Sequence, residues 1–405
     1  MAIRSSATGT AGTTAGLILS GGGARAAYQV GVLKAVADIL PRHVHNPFDI
    51  ICGTSAGAIN ATAIATHAWR FRHGVRGLEQ VWQDFHADQV YRTEPLRLAG
   101  RASRWLSALF LGGVGAHRPV SLLDNQPLAK LLSRVVRFDR IQQAIDDGDL
   151  RALSITASAY TTGESVSFYQ GSPDIQDWGR ARRLGRRTTL GLQHLMASAA
   201  IPVIFPAVRI NDIYYGDGSV RQLAPISPAL HLGADRVMVI GVGGALSSRK
   251  PAQIKPKRYP TVAAIAGHML DSAFIDSMEG DLERLERINR TIRHIPEKTR
   301  EKAGITLRPI DTLVISPSRP LEEIAAQHVH ELPRSLRYFL RGSGATKGAG
   351  STIASYLLFE QGFCQELIRL GYGDAIVRET EILRFLGFDP VAVHGLAGKV
   401  HTDTC

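Results

Sequence analysis

A serine with glycines two positions away on either side, Gly53-Thr54-Ser55-Ala56-Gly57, stands where an apolar run gives way to helix-forming residues. The G-x-S-x-G spacing suits a strand that turns sharply into a helix with the hydroxyl at the apex. Such a hydroxyl can attack an ester carbonyl. At neutral pH almost none of it is ionised, so a neighbouring group must take its proton. Upstream, Gly21-Gly22-Gly23-Ala24-Arg25 follows a short apolar run. Backbone N–H groups of a glycine turn that opens a helix converge on one point and favour negative charge there. The oxygen of a tetrahedral acyl intermediate needs such donors, each worth about 2.7–4 kcal/mol in the transition state. Asp217, between Gly216 and Gly218, follows a short aromatic strand pattern. A carboxylate hydrogen-bonded to a serine can accept its proton. Its ordinary pKa, near ~3.9, is low for that task, and partial burial raises it. Taken alone, Asp-Gly is also a common turn pair.

Two of these features have rival readings. Gly21, Gly23 and Ala26 fit the G-x-G-x-x-A turn of dinucleotide-binding folds, which calls for an acidic residue after the next strand. Asp49 precedes the apolar core of that strand, and the position after it is taken by the serine turn. A nucleotide-binding or non-enzymatic Rossmann-like protein therefore stands as the alternative. Arg25 either holds the glycine turn and adds charge to it, or is a surface arginine at a helix start. His194, His231, His268 and His294 lie in helical or loop contexts without a motif, so no histidine stands out as the base.

The elements around these residues read as an α/β alternation. Strands are expected at Gly16–Ser20, Pro47–Cys52, Leu153–Tyr160, Glu164–Gln170, Ile213–Tyr215, Arg236–Val242 and Thr312–Ser316. Helices are expected at 30–40 (amphipathic), 56–67 (buried), 78–89, 122–136 and 193–200, the last ended by Pro202. A long helical pattern covers 264–294, charged after Glu279, and further helix runs from Pro320 to about Leu370, interrupted by the loop Arg341–Ser351. That loop does not match a phosphate-binding loop, because Lys347 has no glycine before it and no hydroxyl residue after it.

The joint order of these blocks resembles the patatin-like phospholipases, a family of lipid acyl hydrolases. Gly21-Gly22-Gly23-Ala24-Arg25, Gly53-Thr54-Ser55-Ala56-Gly57 and Asp217-Gly218 carry the likeness, with Ala197–Val208 as a weaker fourth block. It extends over roughly 15–244. The resemblance implies a serine–aspartate dyad without histidine: Ser55 as nucleophile, Asp217 as base. The oxyanion hole it implies is the turn Gly21 to Arg25, chiefly the amides of Gly22, Gly23 and Ala24. The implied fold is a three-layer α/β/α sandwich around a mainly parallel sheet, with a C-terminal helical extension. Two positions depart from the family pattern, which often has glycine where Ala26 and Ser219 stand.

The chain's 405 residues allow a large buried core. The expected division is a disordered tail at 1–13, a catalytic core at 14–250, and a mostly helical segment at 251–405 packing on that core. Forty-seven basic and 36 acidic residues give a formal charge of +11. Such a surface suits anionic lipid head groups or simply solubility, and no nucleic-acid motif accompanies it. Arg180, Arg182, Arg183, Arg186 and Arg187 form a basic cluster that either meets anionic lipid or is a solvated face. The apolar residues Trp105, Leu106, Leu109, Phe110 and Leu111, with Arg101 and Arg104, either dip into a head-group layer or form a core helix. No metal cluster or cofactor motif is present, which predicts calcium-independent activity on a phospholipid or other acyl ester. The cysteines Cys52, Cys364 and Cys405 have no disulfide spacing. With neither a secretory signal nor a spanning segment, a location in the cytoplasm or peripheral to the inner face of a membrane is expected.

Overall fold

A computed structural model describes residues 13–92, 94, 100, 103, 121–243, 261–342 and 351–393. The expected tail, the apolar run around Trp105 to Leu111 with Arg101 and Arg104, most of the loop 341–351, and Cys405 lie outside them. The first strand, β1 (Ala15–Leu19), is followed by a tight turn and helix α1 (Ala27–Ile39). Strand β2 (Ile50–Thr54) then runs through Ser55 into helix α2 (Ala56–Ala65), and α3 (Phe71–Gln83) comes next. The remaining strands are β3 (Ala152–Ala159), β4 (Ser165–Gly171), β5 (Trp178–Arg180), β6 (Arg183–Arg187), β7 (Val208–Ile210), β8 (Ile213–Asp217), β9 (Arg236–Ile240) and β10 (Asp311–Ile315).

These strands form one sheet in the order β10-β9-β1-β2-β3-β4-β6-β5, with β8 also on β3 and β7 on β8. From β10 to β3 every pairing is parallel. Beyond β3 the sheet is mixed: β4 and β8 are antiparallel to β3, and β6 is parallel to β4. Alternate residues of the parallel strands enter two separate cores. Leu17, Leu19, Ile51, Met238 and Ile240 face one side, and Ile18, Ile50, Cys52, Val237 and Val239 face the other. A sheet covered on both faces has strands that read as continuous apolar runs rather than alternating ones. That is the α/β/α layering, with helices packed on both faces.

Several boundaries differ from the sequence expectation. Helix α1 is not amphipathic in effect: Gln361–Ile376 covers it, leaving Asp38 alone exposed and Lys34 half-buried. The helix expected at 78–89 begins at Phe71, where the stripe Phe71, Val75, Leu78 and Trp82 starts to be buried. The sequence FRHGVRG hides that stripe among arginines and glycines. The helix expected from Leu122 starts at Gln126, because the Leu122 and Leu123 amides donate to the carbonyls of Val203 and Ile204. The long helix over 264–294 is divided by a π turn at Ser272–Asp276. The basic cluster folds as the β5–β6 hairpin, in which Arg187 donates to the carbonyls of Gly171, Ser172 and Ile175 and lies over Tyr169. Helix continues past Leu370 to Ile376, then from Glu379 to Leu386.

Candidate active site

The parallel register of β1, β2 and β3 brings the three motifs to one sheet edge. Ile18 pairs with Cys52, so the turns that follow β1 and β2 leave the sheet side by side. Thr54, the residue before the serine, pairs with Thr156, and the next residue of β3, Ala157, pairs with Asp217. Two strands 162 residues apart in sequence are thereby set one position from facing each other. The Ser55 Oγ–H donates to Asp217 Oδ2 at 2.6 Å.

Ser55 is held in an uncommon conformation, φ 56° and ψ −130°. A side chain at positive φ costs of order 1–3 kcal/mol and persists where surrounding structure enforces it. Here the Ser55 N–H donates to Ser198 Oγ (2.8 Å), whose hydroxyl donates to the Thr156 carbonyl (2.6 Å). Thr54 Oγ1 donates to Gln222 Oε1 in the loop after Asp217. Helix α2 begins at the next residue, so its positive end lies at the serine. Gly57 lets that helix approach β1, since a Cβ there would strike the carbonyls of Leu19 and Ser20.

Asp217 is fully buried. Besides Ser55 it accepts the Ser219 N–H at 2.9 Å on Oδ1. Burial pushes its pKa up to about 7, against the opposing pull of the hydrogen bonds from Ser55 and Ser219. Among the described residues the donors holding it are neutral, so the carboxyl is poised to take or give a proton near neutrality.

In the glycine turn the Arg25 N–H donates to the Gly22 carbonyl at 3.1 Å. Gly23 has φ 55°, and a Cβ on it would collide with the Tyr356 carbonyl. The amides of Gly22 and Gly23 have no hydrogen-bond acceptor among the described residues. Arg25 is not the surface residue of one reading: it is 1% exposed. An apolar cavity of about 290 Å³ opens from Gly23 and Ser55 and continues past Ile59, Leu78, Val81 and Leu132.

A family model described as patatin-like phospholipase matches residues 17–230, more than half of the 405 residues. The chain belongs to the patatin-like phospholipase family. A curated relative, the cGAMP-activated phospholipase of Pseudomonas aeruginosa (strain BWHPSA011 / Pa011), is 29% identical over 223 residues, 53% of this chain. The match covers 55% of that relative, so the chain spans about half its length. Among solved structures, VipD from Legionella pneumophila is similar with TM-score 0.33 and 12% identity, over 96% of this chain and 75% of VipD. Human GIVD cytosolic phospholipase A2 in complex with methyl gamma-linolenyl fluorophosphonate is similar with TM-score 0.42 and 14% identity, over 94% of this chain and 60% of that one.

The two departures from the patatin-like pattern are accommodated. Ala26 sits at φ −65°, where alanine is unstrained. Ser219 donates its N–H to Asp217, and its side chain adds to the pull that lowers the Asp217 pKa.

The four histidines lie elsewhere. His194 is buried against Phe168 and accepts the Gly191 N–H. His231 stacks on Trp178, its pKa pushed down to about 4 by burial and by Arg180 and Arg183. His268 and His294 are exposed. The residues sequence reasoning missed are supports. Trp82 Nε1 donates to Asn60 Oδ1, Asn60 Nδ2 to Gln29 Oε1, and Gln29 Nε2 to the Ser20 carbonyl. This buried chain ties the cavity wall to the glycine turn. Polar residues on faces otherwise apolar were its signal.

Among the described residues no group of three or more His, Cys, Asp or Glu is placed to hold a metal ion. None of their helices is long and apolar enough to cross a membrane.

Proposed function

We propose that the chain is a serine acyl hydrolase that cleaves fatty acyl esters of phospholipids or related lipids. The observation that carries this reading is the 2.6 Å bond from the Ser55 hydroxyl to a buried Asp217 carboxylate at the head of an apolar cavity. The cavity, about 290 Å³, is at the small end of ligand pockets. It suits one acyl chain, with the head group left outside.

Ser55 Oγ attacks the ester carbonyl carbon while its proton passes to Asp217 Oδ2. The carbonyl π electrons move to oxygen, and the Gly22 and Gly23 amides stabilise the resulting anion. Collapse of the tetrahedral intermediate breaks the C–O bond, and the leaving alcohol takes the proton from Asp217. Water then attacks the acyl-enzyme by the same route, giving a proton to Asp217; as the acyl C–O bond breaks, Asp217 returns that proton to Ser55 Oγ and the fatty acid is released. In this division of labour residues 14–250 carry the chemistry and residues 251–405 frame it.

Labelling by a fluorophosphonate probe tests the reading, together with mass spectrometry of products from phospholipids of defined acyl position. We expect labelling on Ser55, lost in Ser55→Ala, and release of free fatty acid with its lysophospholipid. No labelling and no fatty acid release by the full chain would overturn it.

A further inference from the structure

The oxyanion turn is gripped from a distant part of the chain. Arg25, at the end of that turn, is buried, yet its charge is not left alone. Its Nη1 lies 3.2 Å from Asp271 Oδ1, and its Nε donates to Ser355 Oγ at 2.7 Å. The guanidinium lies 4.1 Å over the Tyr356 ring, and the Tyr356 hydroxyl donates to the same Asp271 oxygen at 2.8 Å. Two further contacts bear on the turn itself. The Tyr356 carbonyl abuts Gly23, and Phe274 abuts Gly21. Asp271 ends one helix, Phe274 belongs to the π turn that follows it, and Ser355 and Tyr356 belong to the helix Ser351–Leu357. All four lie beyond the residues the family model matches, which end at 230. π turns inside helices recur at functional sites.

We infer that Asp271 and Tyr356 are positioning residues: through Arg25 they fix the peptide planes of Gly22 and Gly23, and so set the rate at which Ser55 reacts. The physical path is short. The Arg25 amide closes the turn on the Gly22 carbonyl, so the side chain and the turn cannot move independently. A buried guanidinium that loses its partner seeks another or moves toward water. Either response rotates the peptides whose N–H groups face the ester oxygen. Misplacing a preorganised donor reduces transition-state stabilisation more than substrate binding. Asp271 is 31% exposed, the open end of this otherwise buried cluster. Whatever displaces its carboxylate from Arg25 therefore lowers turnover without entering the acyl cavity.

This inference rests on the acyl-hydrolase reading, and the experiment separates the two. Purified full-length wild type, Ser55→Ala, Asp271→Asn, Asp271→Glu and Tyr356→Phe are compared. The readouts are fluorophosphonate labelling rate, kcat and KM on a short soluble nitrophenyl ester, and thermal midpoint. We expect Asp271→Asn and Tyr356→Phe to label about tenfold more slowly and to lose about tenfold in kcat, with KM within about twofold. Asp271→Glu should recover part of that loss. Tyr356→Phe keeps the ring and its packing, so it decides the matter if Asp271→Asn does not fold. Folded Tyr356→Phe with wild-type kcat and labelling rate, or a loss confined to thermal midpoint, overturns the inference while leaving Ser55 chemistry intact. A wild-type chain that neither labels nor hydrolyses the ester overturns the acyl-hydrolase reading and this inference with it.

Discussion

Asp217 and Arg25 are both buried charges beside the turns that leave β1 and β2, and the protein treats them in opposite ways. Asp217 is surrounded by neutral donors, Ser55 and Ser219, with no cation against it among the described residues. Arg25 is matched by the Asp271 carboxylate and the Tyr356 ring. A buried charge with only neutral partners has a displaced pKa and is ready to exchange a proton. A buried charge with an opposite charge and a ring against it is held in place and acts as a fixture. The same depth of burial thus goes with a raised pKa in one case and a paired charge in the other, decided by what stands within about 4 Å.

That contrast can be broken most severely at the serine. On the proposed mechanism Ser55→Ala removes the nucleophile, and ester hydrolysis should fall by roughly 10³-fold or more, with fluorophosphonate labelling abolished. Asp217→Asn should produce a loss of the same kind, and it sharpens the comparison through pH. In the folded protein the Asp217 pKa is raised to about 7 from an unfolded value near 3.8. The base form therefore predominates only above about pH 7. Below that, kcat/KM should fall about tenfold per pH unit. The sign for stability is the reverse. The folded state binds the proton more tightly than the unfolded chain, so the stability this group contributes is present below pH 3.8 and lost as pH rises through 7. Wild type should then lose on the order of a few kcal/mol relative to Asp217→Asn between pH 4 and pH 8. Chemical denaturation of both proteins at the two pH values checks this, and equal shifts would mean the carboxyl is not destabilised by burial.

The anchor should behave differently. Arg25→Ala removes a buried side chain and its ion pair, and should cost about 2–4 kcal/mol in denaturant unfolding. No window of pH 4 to 8 should restore it. A smaller effect is expected at the cavity. Gly77 lines it, and a Cβ there meets nothing within 4 Å. Gly77→Leu should leave short-chain ester cleavage within about twofold and lower long-chain cleavage about tenfold, as read by competing acyl substrates. The smallest effect is that of chelator, with activity expected within about twofold of untreated protein.

The strands of the parallel half were legible because burial on both faces writes an uninterrupted apolar run, as in GLIL, DIIC, RVMVI and TLVI. The glycine turn and the serine turn were legible because each demands residue types that few other structures need. The start of α3 was not, because its buried stripe has only Phe71 and Val75 in its first turns, among arginines and glycines. The β5–β6 hairpin was read only as a run of arginines, since local charge said nothing of the carbonyls that Arg187 would meet. Ser198 stood inside a recognised block without its link to the Ser55 amide being visible. The sequence leaves Arg25 between two readings, because its partners lie 246 and 330 residues away.

The sequence by itself determined which groups have the chemistry: a hydroxyl at a strained turn, a carboxylate in another, and small residues that expose amides. These are local requirements of covalent geometry and residue type, so they are written in adjacent positions. Only the tertiary structure decided how those groups are tuned. The pKa of Asp217 depends on water being excluded from it, and the partners of Arg25 in the glycine turn, Asp271 and Tyr356, reach it from distant parts of the chain. Burial and long-range charge pairing are properties of packed neighbours rather than of any stretch of sequence, and they arise only once the sheet is assembled and covered.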